Sequence, residues 1–412
     1  MSKKLPKLSM EPYKGVRDFY PEDMAVRRYL FSVMRETAGS FGYSEYSASI
    51  LEPLELYKGK TSEEIVKEQT YSFKDRGGRD ITLRPEMTPT IGRMVAARRR
   101  ELVFPLRWYS IPNIFRYERP QRGRLREHWQ LNCDLFGVSG IEAEVEVISL
   151  AYRLMKNFGA KDDTFEICLN SRVALDHALA KAGLSPEKSK EMLRLIDRKD
   201  AIEDFEAQAV AIAGKPFAVP DIEPQDVAEV RSSLAELGIH NAIYDPLLAR
   251  GFDYYTGIVF EIFDTGPENH RSLFGGGRYD NLLELFGAEK IPAVGFGMGD
   301  VTLHDFLETH GLLPHLPPLA DLYLCTATKE AVLDALKLAE RLRAQKVRVI
   351  VNLTDRKVGD QIKTADRQRV PHIAVIGPDE VKSGTVTLRN LNTGEEQTLA
   401  EADIASALQN RR

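Results

Sequence analysis

Between Ile81 and Gly137 the chain is built from short strand-like runs, "ITLRP", "RWYSIPNIFRYE" and "HWQLNCDLFG", set apart by turn residues and without regular strand–helix alternation. Parallel strands need long, usually helical crossovers, so this pattern argues for an antiparallel sheet and against a Rossmann core. Strand patterning resumes at "NAIYDPLLARGFDYYTGIVFEIF" and runs through "LFGGGRYDNLL" to "IPAVGFGMGDVTL". Ahead of the sheet, Val26, Leu30, Val33, Met34, Ala38 and Phe41 recur at helical spacing behind Pro21, which suits a first helical turn. Residues 172–237 are mostly helical and charged, and read as a module inserted into the sheet domain. Three prolines in the nine residues Leu312 to Ala320 make a stiff linker. Beyond it strands alternate with helices, as in a compact α/β domain. The expected division is 1–318 for an α+β sheet domain and 319–412 for the α/β domain.

Composition narrows the class. The 412 residues are 43% hydrophobic and 28% charged, the balance of a soluble globular protein. No apolar run approaches the ~18 residues of a membrane span, and none follows the charged opening as in a secretory leader. Cys133, Cys168 and Cys325 match no metal or redox spacing and read as reduced thiols in a cytoplasmic protein. The eight histidines are scattered, so no metal site is expected. A net charge of −5 argues weakly against bulk attraction to nucleic acid but leaves local phosphate contacts open.

Against that acidic background, "FRYERPQRGRLREHWQ" places five arginines within the eleven residues Arg116 to Arg126. Arg116 and Glu118 share a strand face, and "PQRGR" forms a turn. Such a strand–loop–strand can hold a triphosphate from several sides, or it can be a solvated basic hairpin. In "ARGFDYYTGIVFEI" a single arginine, Arg250, lies in an apolar strand-like run, so it either pairs with Asp253 or faces a ligand. Glu86 and Thr88 in "LRPEMTPTIGR" share a face. "GGGRYD" lets backbone come close to a ligand or to a neighbouring strand.

Together these stretches resemble the class II histidyl-tRNA synthetases. "RGFDYYTG" resembles the family's histidine-specific segment, "FRYERPQRGRLREHWQ" its motif 2, and "GVRDFYP" with the following helix and strand its motif 1; "LRPEMT" and "GGGRYD" also match. The resemblance covers nearly the whole length. It implies an antiparallel catalytic domain with a helical insertion and a C-terminal anticodon-binding domain. The activity implied is ATP-dependent attachment of L-histidine to tRNA(His) through a histidyl-adenylate, by a cytoplasmic homodimer using Mg²⁺.

Residue by residue, the resemblance assigns catalysis to Arg116 and Arg250, one on each side of the α-phosphate. Histidine binding falls to Glu86, Met87, Thr88, Gln130, Asp134, Arg250, Tyr254 and Tyr255. Glu86 and Gln130 would take the α-ammonium, and Asp134 and Tyr255 the two imidazole nitrogens. ATP contacts fall to Arg116, Glu118, Arg124 and Arg278, and tRNA contacts to Gln121, Lys357 and Lys363, with Arg367 and Arg369 nearby. One departure stands out. The family's motif 3 arginine is replaced by Thr302, with Arg278, Arg124 and Arg126 as candidate substitutes. That loss favours a rival reading, the non-catalytic, histidine-binding regulatory paralogue of ATP phosphoribosyltransferase. The intact "RGFDYYTG", the motif 2 arginines and the C-terminal domain favour the enzyme.

Overall fold

The computed structural model describes residues 8–58, 69–199, 202–217, 219, 222–251, 254–266 and 272–409. The chain divides into two compact units, Met1–Pro314 and His315–Arg412. The first is organised around a nine-stranded sheet. Its strands run in the order Ser44–Glu45, Leu106–Ser110, Glu127–Phe136, Ala293–Gly299, Ser272–Arg278, Ile258–Asp264, Phe165–Ser171 and Ala242–Tyr244, with Asn113–Phe115 also paired to Glu127–Phe136. The central pairings are antiparallel, as the strand pattern predicts. Only the two edge strands pair parallel.

Side chains alternate across a strand, so each strand sorts its residues onto two faces. On one face Leu131, Cys133 and Leu135 lie with Val294, Phe296, Met298, Ile258, Phe260, Ile262, Ile167 and Leu169 in a single buried core. Four helices cover it: Pro21–Ser40, Glu142–Asn157, Gln225–Glu236 and Asp300–Thr309. Pro21 does open the first of them, and the Asp23 carboxylate accepts from the Tyr20 amide at 3.1 Å. Burying each large aliphatic side chain here contributes about 1.5–3 kcal/mol. Truncating Phe260, fully buried at the sheet's centre, to alanine would cost ~3–5 kcal/mol. The opposite face carries the other parity, and it is largely polar or glycine.

Helices Arg172–Lys181, Pro186–Asp197 and Phe205–Ala213 form the inserted module, with a core of their own around Leu179, Met192, Leu195 and Ile196. The Ser185 hydroxyl caps the second helix by accepting from the Lys188 amide. Helix Gln225–Glu236, which helical composition alone grouped with the module, instead buries Val227, Val230 and Leu234 in the sheet's core. Its apolar stripe could serve either neighbour, and the larger surface won.

The second unit has a five-stranded sheet in the order Val349–Val351, Leu322–Thr326, His372–Ile376, Thr385–Asn390 and Glu396–Ala400. The first three strands are parallel, joined through helices Ala331–Ala344 and Val358–Arg367, and the last two are antiparallel. Lys357, Lys363, Arg367 and Arg369 are exposed in and around the second helix, with Lys363 3.6 Å from Asp360.

Candidate active site

The open face of the large sheet builds the site from its middle strands. Gln130, Asn132 and Asp134, two apart on Glu127–Phe136, stand in a row. Across the next strand they face Gly299, Gly297 and Gly295, and one strand further on Gly275 and Gly277 continue the same rows. Four of these glycines, all but Gly299, sit at close approaches. A Cβ on Gly295 would lie 2.5 Å from Asp134 Oδ1, one on Gly297 2.1 Å from Gln130 Nε2, and one on Gly275 2.3 Å from Arg250 Nη1. The site's floor is therefore main chain, with polar side chains folded over it.

Two walls close on this floor. Gln130 Nε2 donates to Asn132 Oδ1 at 2.7 Å. The Tyr279 hydroxyl donates to Asp134, whose carboxyl burial raises to about 7, with that hydrogen bond opposing the rise. Opposite, the chain leaves strand Asp80–Leu83 through Pro85 and enters helix Thr88–Arg98, which brings Glu86 and Met87 into the interior. The Tyr254 hydroxyl lies 3.3 Å from Glu86 Oε2 and 3.4 Å from Thr88 Oγ1. Tyr254 stacks obliquely on Tyr255 at 4.8 Å and edge-on to Tyr279 at 5.8 Å. Burial, first of all, holds the Tyr254 and Tyr279 hydroxyls protonated. The result is a cluster of buried polar side chains that holds two carboxylates, Glu86 and Asp134, linked through the Tyr254–Tyr279 contact.

Arginines bound it. Arg116 Nε donates to the Pro85 carbonyl at 2.8 Å, tying motif 2 to the turn that carries Glu86. Glu118 lies 3.9 Å from Arg116 and 3.8 Å from Arg124, each beyond hydrogen-bond reach. Next to Gln130, His128 is kept neutral, its pKa pushed down to about 3 by burial and by the Arg116 charge. Beyond Glu118 the loop turns tightly, with Gln121 and Arg124 paired through their backbones and Gly123 at φ 79°. Gln121 and Arg124 are exposed there.

Arg250 is the unusual one. Burial opposes its charge, but Tyr255, Glu261, Asp197 and Tyr254 more than offset this and hold its pKa above the ordinary value. Glu261 Oε1 is 3.1 Å from Nη1, yet not at a hydrogen-bonding angle, and neither Nε nor Nη1 has a hydrogen-bond partner among the described residues. The guanidinium is thus held by the Glu261 charge, with hydrogen-bonding capacity left at Nε and Nη1. The alternative pairing with Asp253 lies outside the described residues.

Comparison with known proteins decides the family. A family model described as histidyl-tRNA synthetase matches residues 15–213 and 216–301, and one described as anticodon binding domain matches 321–411. A histidine–tRNA ligase of Leptospira biflexa is 42% identical over 419 residues, covering 96% of each chain. One from Thermoplasma volcanium is 34% identical, covering 98% of this chain and 99% of its own. The crystal structure of histidyl-tRNA synthetase from Nostoc superimposes with a TM-score of 0.78 at 24% identity, covering 98% of this chain and all of that one. The chain belongs to the histidyl-tRNA synthetase family.

Within that family frame, one sequence expectation needs correction. Arg278 does not face the nucleotide side. It follows Gly277 and so takes the opposite parity, where its Nε and Nη2 each bond Glu144 at 2.6 Å and its remaining N–H groups meet Val138 O, Gly140 O and Asp280. Arg126 is likewise engaged, by Tyr13, Tyr117 and the Glu118 carbonyl. Thr302 is turned to the main chain, donating to Leu273 O at 2.8 Å. Of the three substitutes for the synthetase motif 3 arginine, Arg124 alone keeps an exposed head. Sequence reading passed over Glu261, Asn132, Tyr279 and Asp197. The first two were recoverable from period two along their strands; the last two meet their partners only through the fold.

Proposed function

We propose that this chain activates L-histidine with ATP and transfers it to tRNA(His). In the first step a histidine carboxylate oxygen attacks the α-phosphorus and pyrophosphate leaves. In the second the terminal ribose hydroxyl of the tRNA attacks the acyl carbon and AMP leaves. The observation that carries this reading is Arg250, paired with Glu261 beside Tyr254 and Tyr255, with its Nε and Nη1 making no hydrogen bond among the described residues. Positive charge held where the phosphate oxygens gain charge lowers the barrier without needing a proton transfer.

In this reading Arg116 meets the α-phosphate opposite Arg250, and Glu118 keeps Arg116 and Arg124 aligned for the nucleotide. Glu86, Gln130 and Thr88 take the histidine ammonium. Asp134, once ionised, and Tyr255 take the imidazole nitrogens, with Tyr254 and Met87 closing the cavity. A site that hydrogen-bonds both ring nitrogens rejects apolar isosteres, because they leave its buried groups unpaired. Mg²⁺ would arrive with ATP, coordinated mainly by phosphate oxygens and water; Glu118 is the carboxylate beside the phosphate-facing arginines. Gln121 on the exposed loop and the exposed Lys357 and Lys363 on the second unit would meet tRNA. Helix Pro21–Ser40 would pack against its mate in a homodimer. All three cysteines are free, which suits the cytoplasm, and no helix among the described residues is long and apolar enough to cross a membrane.

Full-length ligase relatives and the anticodon-domain match favour this over the regulatory paralogue. Histidine-dependent exchange of labelled pyrophosphate into ATP is the test. Exchange with histidine but with no other amino acid is expected. Histidine binding without any exchange would hand the case to the regulatory reading.

A further inference from the structure

The segment carrying Arg250 is held from both sides by the inserted helical module. Ala249, immediately before it, is buried in the module's own core with Leu179, Met192 and Ile196. Gly251, immediately after it, lies against Asp197, the last residue of helix Pro186–Asp197; a Cβ there would sit 2.6 Å from Asp197 Oδ2. Two residues past that helix, Lys199 Nζ pairs with Asp245 Oδ2 at 2.9 Å, fastening the start of the same segment. The guanidinium itself reaches the other way, to Glu261 on the sheet.

Asp197 is an odd choice for its position. A helix C-terminus carries partial negative charge and disfavours an anion. Although the residue as a whole is exposed, its carboxylate is enclosed on the side of Gly251, and this burial raises its pKa to about 6 against the opposing pull of Arg250. Asp197 makes no ion pair with Arg250 among the described residues; its contact is with Gly251, the next residue along, and its charge reaches the guanidinium only at longer range.

We propose that Asp197 is a positioning residue for Arg250: the inserted module, through the end of its second helix, holds the arginine in its phosphate-facing place, so that adenylate formation depends on the module being docked. This rests on the ligase reading above, in which Arg250 meets the α-phosphate. It makes the module a part of the activation step, and gives anything that lifts the module a way to withdraw the arginine.

The test is a double-mutant cycle between Asp197→Asn and Arg250→Ala in the full-length protein. Asp197→Asn alone should lower kcat for histidine-dependent exchange about tenfold to a hundredfold, the size of effect a misplaced catalytic group gives. The KM for histidine and the Tm should stay near the wild-type values. Gly251→Ala, which presses on the same contact from the other side, should do likewise. In the Arg250→Ala background neither change should add a further loss, because the group being positioned is gone. Losses that multiply, or that appear in histidine KM and Tm while kcat holds, would overturn the proposal. The same cycle read as ATP affinity by fluorescence titration needs no turnover, so a protein without exchange activity would count against the ligase reading while this coupling is still measured.

Discussion

Gly297→Ala probes the floor of the proposed histidine site with one methyl group. Its Cβ would stand 2.1 Å from Gln130 Nε2 and 2.9 Å from Gln130 Cδ. Gly297 is hydrogen-bonded into the sheet between Gly275 and Asn132, so the backbone has no freedom to retreat. The Gln130 amide must swing away, giving up its 2.7 Å bond to Asn132 and, in the proposed mode, its contact with the substrate ammonium. A hydrogen bond to a charged group contributes about 1.5–3 kcal/mol, so histidine affinity should weaken about tenfold to a hundredfold. Calorimetric titration of histidine, together with the KM values for histidine and ATP in the exchange assay, measures this directly. The ATP KM should hold. Gln130→Ala should weaken histidine to a similar extent, and combining the two should add little. Gly39→Ala is the control, because nothing lies within 4 Å of its Cβ. An unchanged histidine affinity, or an ATP KM that rises as much as the histidine KM, would refute the placement of Gln130 over Gly297.

Arg278→Met should lower stability by ~3–5 kcal/mol, because it strands the buried Glu144 carboxylate; thermal melts check this, and the ATP KM should not move. Asp134 adds a pH signature to the ligand-free protein: the folded carboxyl keeps its proton to about 7, against 3.8 ordinarily. The folded state therefore binds more protons across that window and loses stability as pH rises through it, by on the order of 4 kcal/mol. Urea titrations at pH 5 and 8 cover the upper part of that window and should show a drop of about 3 kcal/mol in the wild type and a much smaller one in Asp134→Asn. Removing residues from His315 onward should abolish charging of tRNA while sparing histidine-dependent exchange; an equal loss in both assays would assign the second unit a structural role instead.

Much of the site was legible because a strand has period two. Once Glu127–Phe136 is a strand, Gln130 and Asp134 must share a face, and the glycines of "FGGGR" and "VGFGMG" mark where backbone replaces side chain opposite them. The same rule places Arg278 on the other face from Gly275 and Gly277, and a motif-level reading of "GGGRYD" overlooked it. What the sequence hides are partnerships made by tertiary closure. Nothing near Tyr279 announces Asp134, 145 residues away, and nothing in helix Pro186–Asp197 announces that its last residue meets Gly251, far along the chain. Helix Gln225–Glu236 was likewise beyond reach, since its stripe does not say which core it fills.

A site floored by main chain, if it takes the proposed ligand, has a thermodynamic consequence. Five glycines in two adjacent strands leave no rotamers beneath the ligand, and the hydrogen-bonded ladder on either side already fixes their torsions. Binding then freezes side chains only in the walls, so the ordering entropy of recognition falls on a few residues such as Gln130 and Tyr254. It also means that the rows of Gln130, Asn132 and Asp134 are spaced along the floor by the strand repeat itself, which no side-chain substitution in the walls can change.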